Sequence, residues 1–199
     1  MQKSVRLLEN ISEISGRIVA WLVLALVVLT LMVAIPRYVL SNEWFLQLHL
    51  LGIDWEALRG HYSRNVNAMN DGVQYLHAII FMIGIAYAMK LGDHVRIDIL
   101  YRRMSDRTRA WVDLLGTLFF LYPTFIFILY VSWDYVLASW QVVESSPRPG
   151  GLAYVYLLKS LLIIMPTLML LQGTALLLRS VLQLRNQPMP DNLHEHGEL

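Results

Sequence analysis

The 199-residue chain is 56% hydrophobic, contains no cysteine and carries a formal net charge of +1, with a mean hydropathy of +0.48. That apolarity excludes an ordinary soluble domain and fits several membrane crossings. The lack of cysteine excludes disulfide frameworks, thiolate metal sites, iron–sulfur clusters and quinone-linked dithiol chemistry.

Residues 1–17 place Leu7, Leu8, Ile11 and Ile14 at helical spacing, with Lys3, Arg6, Glu9, Glu13 and Arg17 elsewhere. This pattern predicts a short amphipathic lead-in helix. The uncharged run from Ile18 to Ile35 covers roughly 27 Å as a helix, close to the ~30 Å hydrocarbon core, and should span. It is longer than a signal-peptide core and no small-x-small site follows it, so it is expected to stay uncleaved. Pro36 and Arg37 are expected to end this helix. The segment 41–71 mixes Trp44, Phe45, Trp55 and several leucines with Glu43, Asp54, Glu56, Arg59 and Arg64. It is too polar to cross, and predicts a short interfacial helix or a docking surface.

Further spans are expected at about 73–90, 111–137 and 154–178, after a first at about 18–36. Pro123 and Pro166 are read as shape features. Between the second and third spans lies GDHVRIDILYRRMSDRTRAW, where Ile97, Leu100, Tyr101, Met104 and Trp111 form an oily stripe beside Arg96, Arg102, Arg103, Arg107 and Arg109. That is the pattern of a helix lying on a membrane surface, with Arg102, Arg103, Arg107 and Arg109 meeting anionic lipid headgroups. The fold class is therefore an all-α membrane protein: four transmembrane helices plus amphipathic interfacial helices in one domain, 1–185. The proline-containing tail 186–199 reads as disordered.

Alternate sides of such a chain carry unequal basic charge. Lys3, Arg6, Arg17, Lys90, Arg96, Arg102, Arg103, Arg107, Arg109, Arg179 and Arg185 fall on one side; only Arg37, Arg59, Arg64 and Arg148 fall on the other. By the positive-inside rule both termini, the tail and the basic belt are cytoplasmic. The loops 41–71 and 138–153 then face the other compartment.

Ionisable residues inside spans are the first candidates for function. His77, Asp113, Asp134 and Lys159 all sit within about two turns of a span end, where a side chain reaches the interface. With no polar file at mid-depth, the chain by itself has no route for an ion or proton. Lys159 is either an interfacial anchor or the partner of Asp134 or Glu144 in an ion pair fixing the third span to the fourth. Histidines matched across facing spans for haem are absent, as are G-x-S-x-G, H-E-x-x-H and phosphate-binding glycine loops. No enzyme activity, cofactor, metal or nucleic-acid partner is expected. The run SSPRPGG, with Arg148, Gly150 and Gly151, is a turn signal that offers either a tight connection or an outward docking edge.

Two stretches carry a resemblance: GDHVRIDILYRRMS, with His94, Arg96 and Asp98 at its core, and SSPRPGGLAYVYLLKSLL leading into the fourth span. In this order, between four spans, over about residues 17–183, the chain resembles the small membrane subunit of a TRAP transporter, the tripartite ATP-independent periplasmic family. The resemblance implies a non-transporting small permease subunit in a bacterial inner (cytoplasmic) membrane. It would scaffold a large polytopic subunit that takes up an organic acid by ion-gradient-driven symport, the acid being delivered by a periplasmic substrate-binding protein. Candidate interface or structural residues are His94, Arg96, Asp98, Asp134, Glu144, Arg148, Gly150, Gly151 and Lys159. The alternative is a free-standing four-span membrane assembly or lipid-binding protein.

Overall fold

The computed structural model describes residues 2–42, 54–91 and 104–185. Within them the chain forms four long helices: α1 (Gln2–Ser41), α2 (Trp55–Leu91), α3 (Asp106–Gln141) and α4 (Val155–Leu184). All four are long and apolar enough to cross a membrane, and no strand occurs among the described residues.

The apolar runs account for the spans, but the helices outlast them. α1 is 40 residues long, about 60 Å at 1.5 Å per residue. The amphipathic lead-in and the first span are one continuous helix, and Pro36 lies inside it instead of ending it. Proline removes one backbone donor and crowds the preceding turn, a disturbance that membrane helices absorb when neighbours take up the freed groups. Here the Tyr62 hydroxyl on α2 donates to the Val33 carbonyl at 2.9 Å, in the turn just before the proline.

Of the segment 41–71, where the sequence predicts an interfacial helix or a docking surface, residues 43–53 lie outside the described residues, and the part after them is continuous with the second span. From Trp55 the polar segment runs without a break into the second span. Asp54 caps its start, accepting from the Ala57 N–H at 3.0 Å, and no proline interrupts the helix between Trp55 and Leu91. Two polar residues near the end of this stretch, Asn67 and Asp71, bond the loop between α3 and α4.

α1 and α2 run antiparallel, paired from Gly16 to Val33 of α1. Gly16 meets the Tyr87 ring, Gly84 lies by Val19, Gly72 by Leu29, and Tyr62 by Val33. α3 and α4 form the second antiparallel pair, joined at Trp140–Ser160, Tyr122–Thr174 and Asp106–Gln183. α4 touches all three other helices and carries the largest share of the buried residues, including Leu161, Pro166, Met169, Ala175 and Leu182. It is joined to α1 by a buried hydrogen bond of 2.7 Å from Ser12 to the Gln172 side-chain oxygen. By contrast Trp21, Phe120 and Tyr130 on α1 and α3 are largely exposed. In water such a surface would aggregate; in a bilayer, interior contact is made by close packing and interhelical hydrogen bonds, and the apolar exterior meets lipid or a partner.

α3 contains one irregularity. Residues Thr117–Leu121 form a π-helical turn, with the Tyr122 N–H reaching back to the Thr117 carbonyl. Pro123 in the next turn has no N–H to offer the Phe119 carbonyl, and one wider turn reorganises the bonding around that gap. The helix realigned in this way presses Leu121 and Tyr122 against Gly173 of α4.

Candidate functional site: the clamped loop between α3 and α4

α3 ends at Gln141 in a defined backbone motif. The Glu144 N–H bonds the Ser139 carbonyl at 3.1 Å and the Val143 N–H bonds the Trp140 carbonyl at 3.2 Å, the paired bonds of a Schellman cap. Its left-handed position is held by Val143, with φ of 45°. Glycine is usual there; a β-branched residue is a strained choice.

The loop then closes on itself. Ser146 N–H bonds the Leu152 carbonyl at 3.0 Å and Val155 N–H bonds the Glu144 carbonyl at 3.1 Å. Between them Arg148-Pro149-Gly150-Gly151 forms a turn, the Gly151 N–H returning to the Arg148 carbonyl at 3.0 Å. Pro149 supplies the fixed φ of the second position, and Gly150 takes the positive φ of 70° that a type II turn needs at the third.

α2 clamps this turn from the side. Asn67 and Asp71 are one helical turn apart and share a face. Asn67 donates from its amide to the Pro149 carbonyl at 2.9 Å. Asp71, with its side chain only 6% exposed, accepts from the Arg148 guanidinium at 3.1 Å and from the Leu152 N–H at 3.1 Å. Gly151 is required by this approach, since a Cβ there would lie 2.5 Å from the Asp71 Oδ2 and the Ser146 Oγ. The polar end of the second span is thus the seat of the SSPRPGG turn.

A second anchor holds the loop to α4. Lys159 donates to Glu144 at 2.5 Å, and its ammonium lies 4.1 Å from the centroid of the Tyr135 ring, a cation–π contact. Beside it the Trp140 indole N–H donates to Ser160 at 2.8 Å, and the Trp140 and Tyr156 rings meet edge to face. Of the two partners open to Lys159, the structure therefore pairs it with Glu144. Asp134 lies on the outer face of α3 in a shallow groove with Ile126, Leu129, Tyr130 and Trp133.

The Lys159 ammonium holds the Glu144 carboxyl below the usual carboxylate range. A depressed pKa gives stability that is complete above the unfolded value of 4.5 and is lost as pH falls through the lower, folded value. The expected result is that this pair contributes no pH dependence to the melting temperature in detergent near neutral pH and lowers it as pH falls below 4.5. Lys159→Met should remove this acid-dependent component, and an unaltered pH profile in that variant would count against the pair.

Glu144, Arg148, Gly150, Gly151 and Lys159 are thus brought together, whereas Asp134 stands apart. Arg107 is exposed at the start of α3 and Arg109 lies within 3.5 Å of Asp106. His94, Arg96, Asp98, Arg102 and Arg103, with most of the predicted surface helix, lie outside the described residues, as does the tail 186–199. Sequence reasoning missed Asn67 and Asp71. Their signal was a carboxamide and a carboxylate at i and i+4 just ahead of an apolar run, on the same side of the membrane as SSPRPGG.

Every charge in the clamp is neutralised by a partner within the chain, an arrangement suited to holding a backbone in one shape and offering no free nucleophile, base or acid. No curated protein and no solved structure matches this chain. The family model described as "Tripartite ATP-independent periplasmic transporters, DctQ component" matches residues 63–183, which contain the clamp, α3, α4 and most of α2. Covering more than half of the 199 residues, that match places the chain in the DctQ family, the small membrane component of TRAP transporters.

Proposed function

We propose that this protein is the non-transporting scaffold of a TRAP-type secondary transporter in a bacterial inner membrane. Membership of the family implies a tripartite complex with a large membrane component and a periplasmic binding component. The small subunit would widen the immobile part of the large one, against which the moving part carries an organic acid under an ion gradient. One observation carries the reading: among the described residues the polar side chains that join the helices bond one another within the chain, with the Tyr75 and Ser139 hydroxyls as buried exceptions. Ser12 and Gln172 bond each other, as do Tyr122 and Thr174, and Lys159 is engaged with Glu144 near the outer end of α4. Transport sites are built instead from interrupted helices and open polar groups at mid-depth.

The excess of basic residues on the side of Arg107 and Arg109 supports cytoplasmic termini, with the clamped loop facing the periplasm. Co-purification in mild detergent with the large subunit, followed by ion-driven uptake in proteoliposomes that requires both membrane chains, tests the proposal; release of this chain alone, with uptake undiminished, contradicts it. Arg96→Glu is expected to impair assembly or uptake more than Arg103→Glu, because Arg96 stands at the core of the family-like stretch, whereas Arg103 is one of the four arginines expected from the sequence to meet headgroups. Equal effects would reduce the belt to a topology signal.

A further inference from the structure

Among the described residues two buried hydroxyls are not bonded within the chain, and both belong to the end of the bundle that carries the clamped loop. Ser139, in the last turn of α3, is 2% exposed, and its Oγ has no hydrogen-bond partner. The phenol oxygen of Tyr75 on α2 is buried in the same condition. Glu144 connects them. Its N–H bonds the Ser139 carbonyl, and the Ser139 hydroxyl stands near enough to help hold the Glu144 carboxyl below its usual range, though outside hydrogen-bond geometry. Tyr75 lies one helical turn beyond Asp71, continuing the face of α2 that carries Asn67 and Asp71, and the charges of Asp71 and Glu144 both reach its phenol.

Burying a hydroxyl without a bond costs free energy, and nearly all such atoms in folded proteins are bonded to protein or to ordered water. The charges around these two decide what can serve them. A cation would meet the Lys159 ammonium already bonded to Glu144, and an anion would meet the Glu144 and Asp71 carboxylates. A small neutral molecule that both donates and accepts meets neither objection. We propose that a buried water molecule lies between Ser139, Tyr75 and Glu144 and bonds α2 to the end of α3. It accepts from the two hydroxyls and donates to the Glu144 Oε1, since Lys159 holds the Oε2; about three such bonds are usual for a buried water. Asn67 and Asp71 hold α2 to the loop, whereas this link holds it to the helix from which the loop departs. It belongs to the chain whatever the chain assembles with.

The test compares the melting temperature of the purified full chain in mild detergent with those of Ser139→Ala, Tyr75→Phe and the double variant. Each single change removes one oxygen and little else, so the sign of the shift decides. With the water in place, either change takes a bond from it and should lower the melting temperature by about 3 °C. The double variant should then fall by clearly less than the sum, because both changes act on the same molecule. Hydroxyls left without any partner predict the reverse, since their removal relieves a buried polar atom. A melting temperature at or above the parent's in either single variant therefore overturns the proposal, and strictly additive losses overturn the shared site. Tyr62→Phe, which deletes a hydroxyl bonded to the Val33 carbonyl, calibrates the loss of one bond in this bundle. A density map at a resolution that shows ordered solvent gives an independent reading. A peak within hydrogen-bond distance of both the Ser139 and Tyr75 oxygens is expected, and a map that resolves other solvent but has no peak there contradicts the water.

Discussion

Asp71→Ala is expected to be the most damaging single substitution in the clamp, costing about 2 to 4 kcal/mol of local stability. Two hydrogen bonds to a charged group, each about 1.5 to 3 kcal/mol, are lost, with a discount because Arg148 is half in solvent and recovers water when its partner goes. The part-buried Leu152 N–H also loses the Asp71 Oδ2 as its acceptor. Asp71→Asn keeps an acceptor of the same shape and loses the charge, so about half of the penalty should remain. Hydrogen exchange at the Leu152, Ser146 and Gly151 amides in detergent measures the effect directly. Protection at these amides equal to the parent's in Asp71→Ala would show that the turn stands without its clamp.

The second large effect is expected at Gly16. A Cβ at this position would lie 2.5 Å from two atoms of the Tyr87 ring, Cγ and Cδ2, and 2.7 Å from Cδ1. These atoms include the root of the ring, which cannot swing aside as the tip of a leucine can. Overpacking of this kind costs about 1 to 3 kcal/mol. Gly16→Ala recovers up to about 1 kcal/mol in helix propensity, so its net cost should be small. Gly16→Val gains less propensity and adds two methyl groups, and should fall near the upper end. Because Ser12 lies one turn away, separating α1 from α2 here also strains the Ser12–Gln172 bond to α4. Tyr87→Ala combined with Gly16→Val should restore part of the loss, with a coupling energy of about 1 kcal/mol or more. Strict additivity of the two melting-temperature changes would mean that Gly16 is not placed for Tyr87.

Apolarity reveals a span because it is a property of one segment; it reveals little about where a helix stops, because ends are set by what lies alongside. Pro36 has every local mark of a terminus and is passed through, with a tyrosine from α2 bonding the adjacent turn. The stretch from Trp55 to Asp71 is polar enough to suggest an interfacial element. It is nonetheless one rod with the second span, and its Asn67 and Asp71 bond a loop some eighty residues later. Lys159 could be singled out from its depth alone, and its partner narrowed to two carboxylates. The Schellman cap at Val143 chooses between them, turning Glu144 back over α4 and leaving Asp134 on the outer wall. Asp71 was not legible because its meaning is entirely non-local: nothing near it in the chain distinguishes a buried clamp from a solvated helix end. The basic belt is the reverse case, its Arg96 half conspicuous in the sequence and outside the described residues.

That α4 touches each of the other helices has a consequence for biogenesis. The α1–α2 and α3–α4 hairpins are local and can each pair soon after insertion, in keeping with membrane helices that insert first and associate afterwards. The contacts between the hairpins, however, wait for the helix that is synthesised last. Until α4 and its preceding loop arrive, Gln172 is not there for Ser12 and neither Arg148 nor Leu152 is there for Asp71. The nascent chain therefore holds an uncovered carboxylate and hydroxyl on its first hairpin throughout the synthesis of the second. Chains truncated before α4 should consequently be recognised as incomplete by membrane quality control, while the finished bundle presents no such signal.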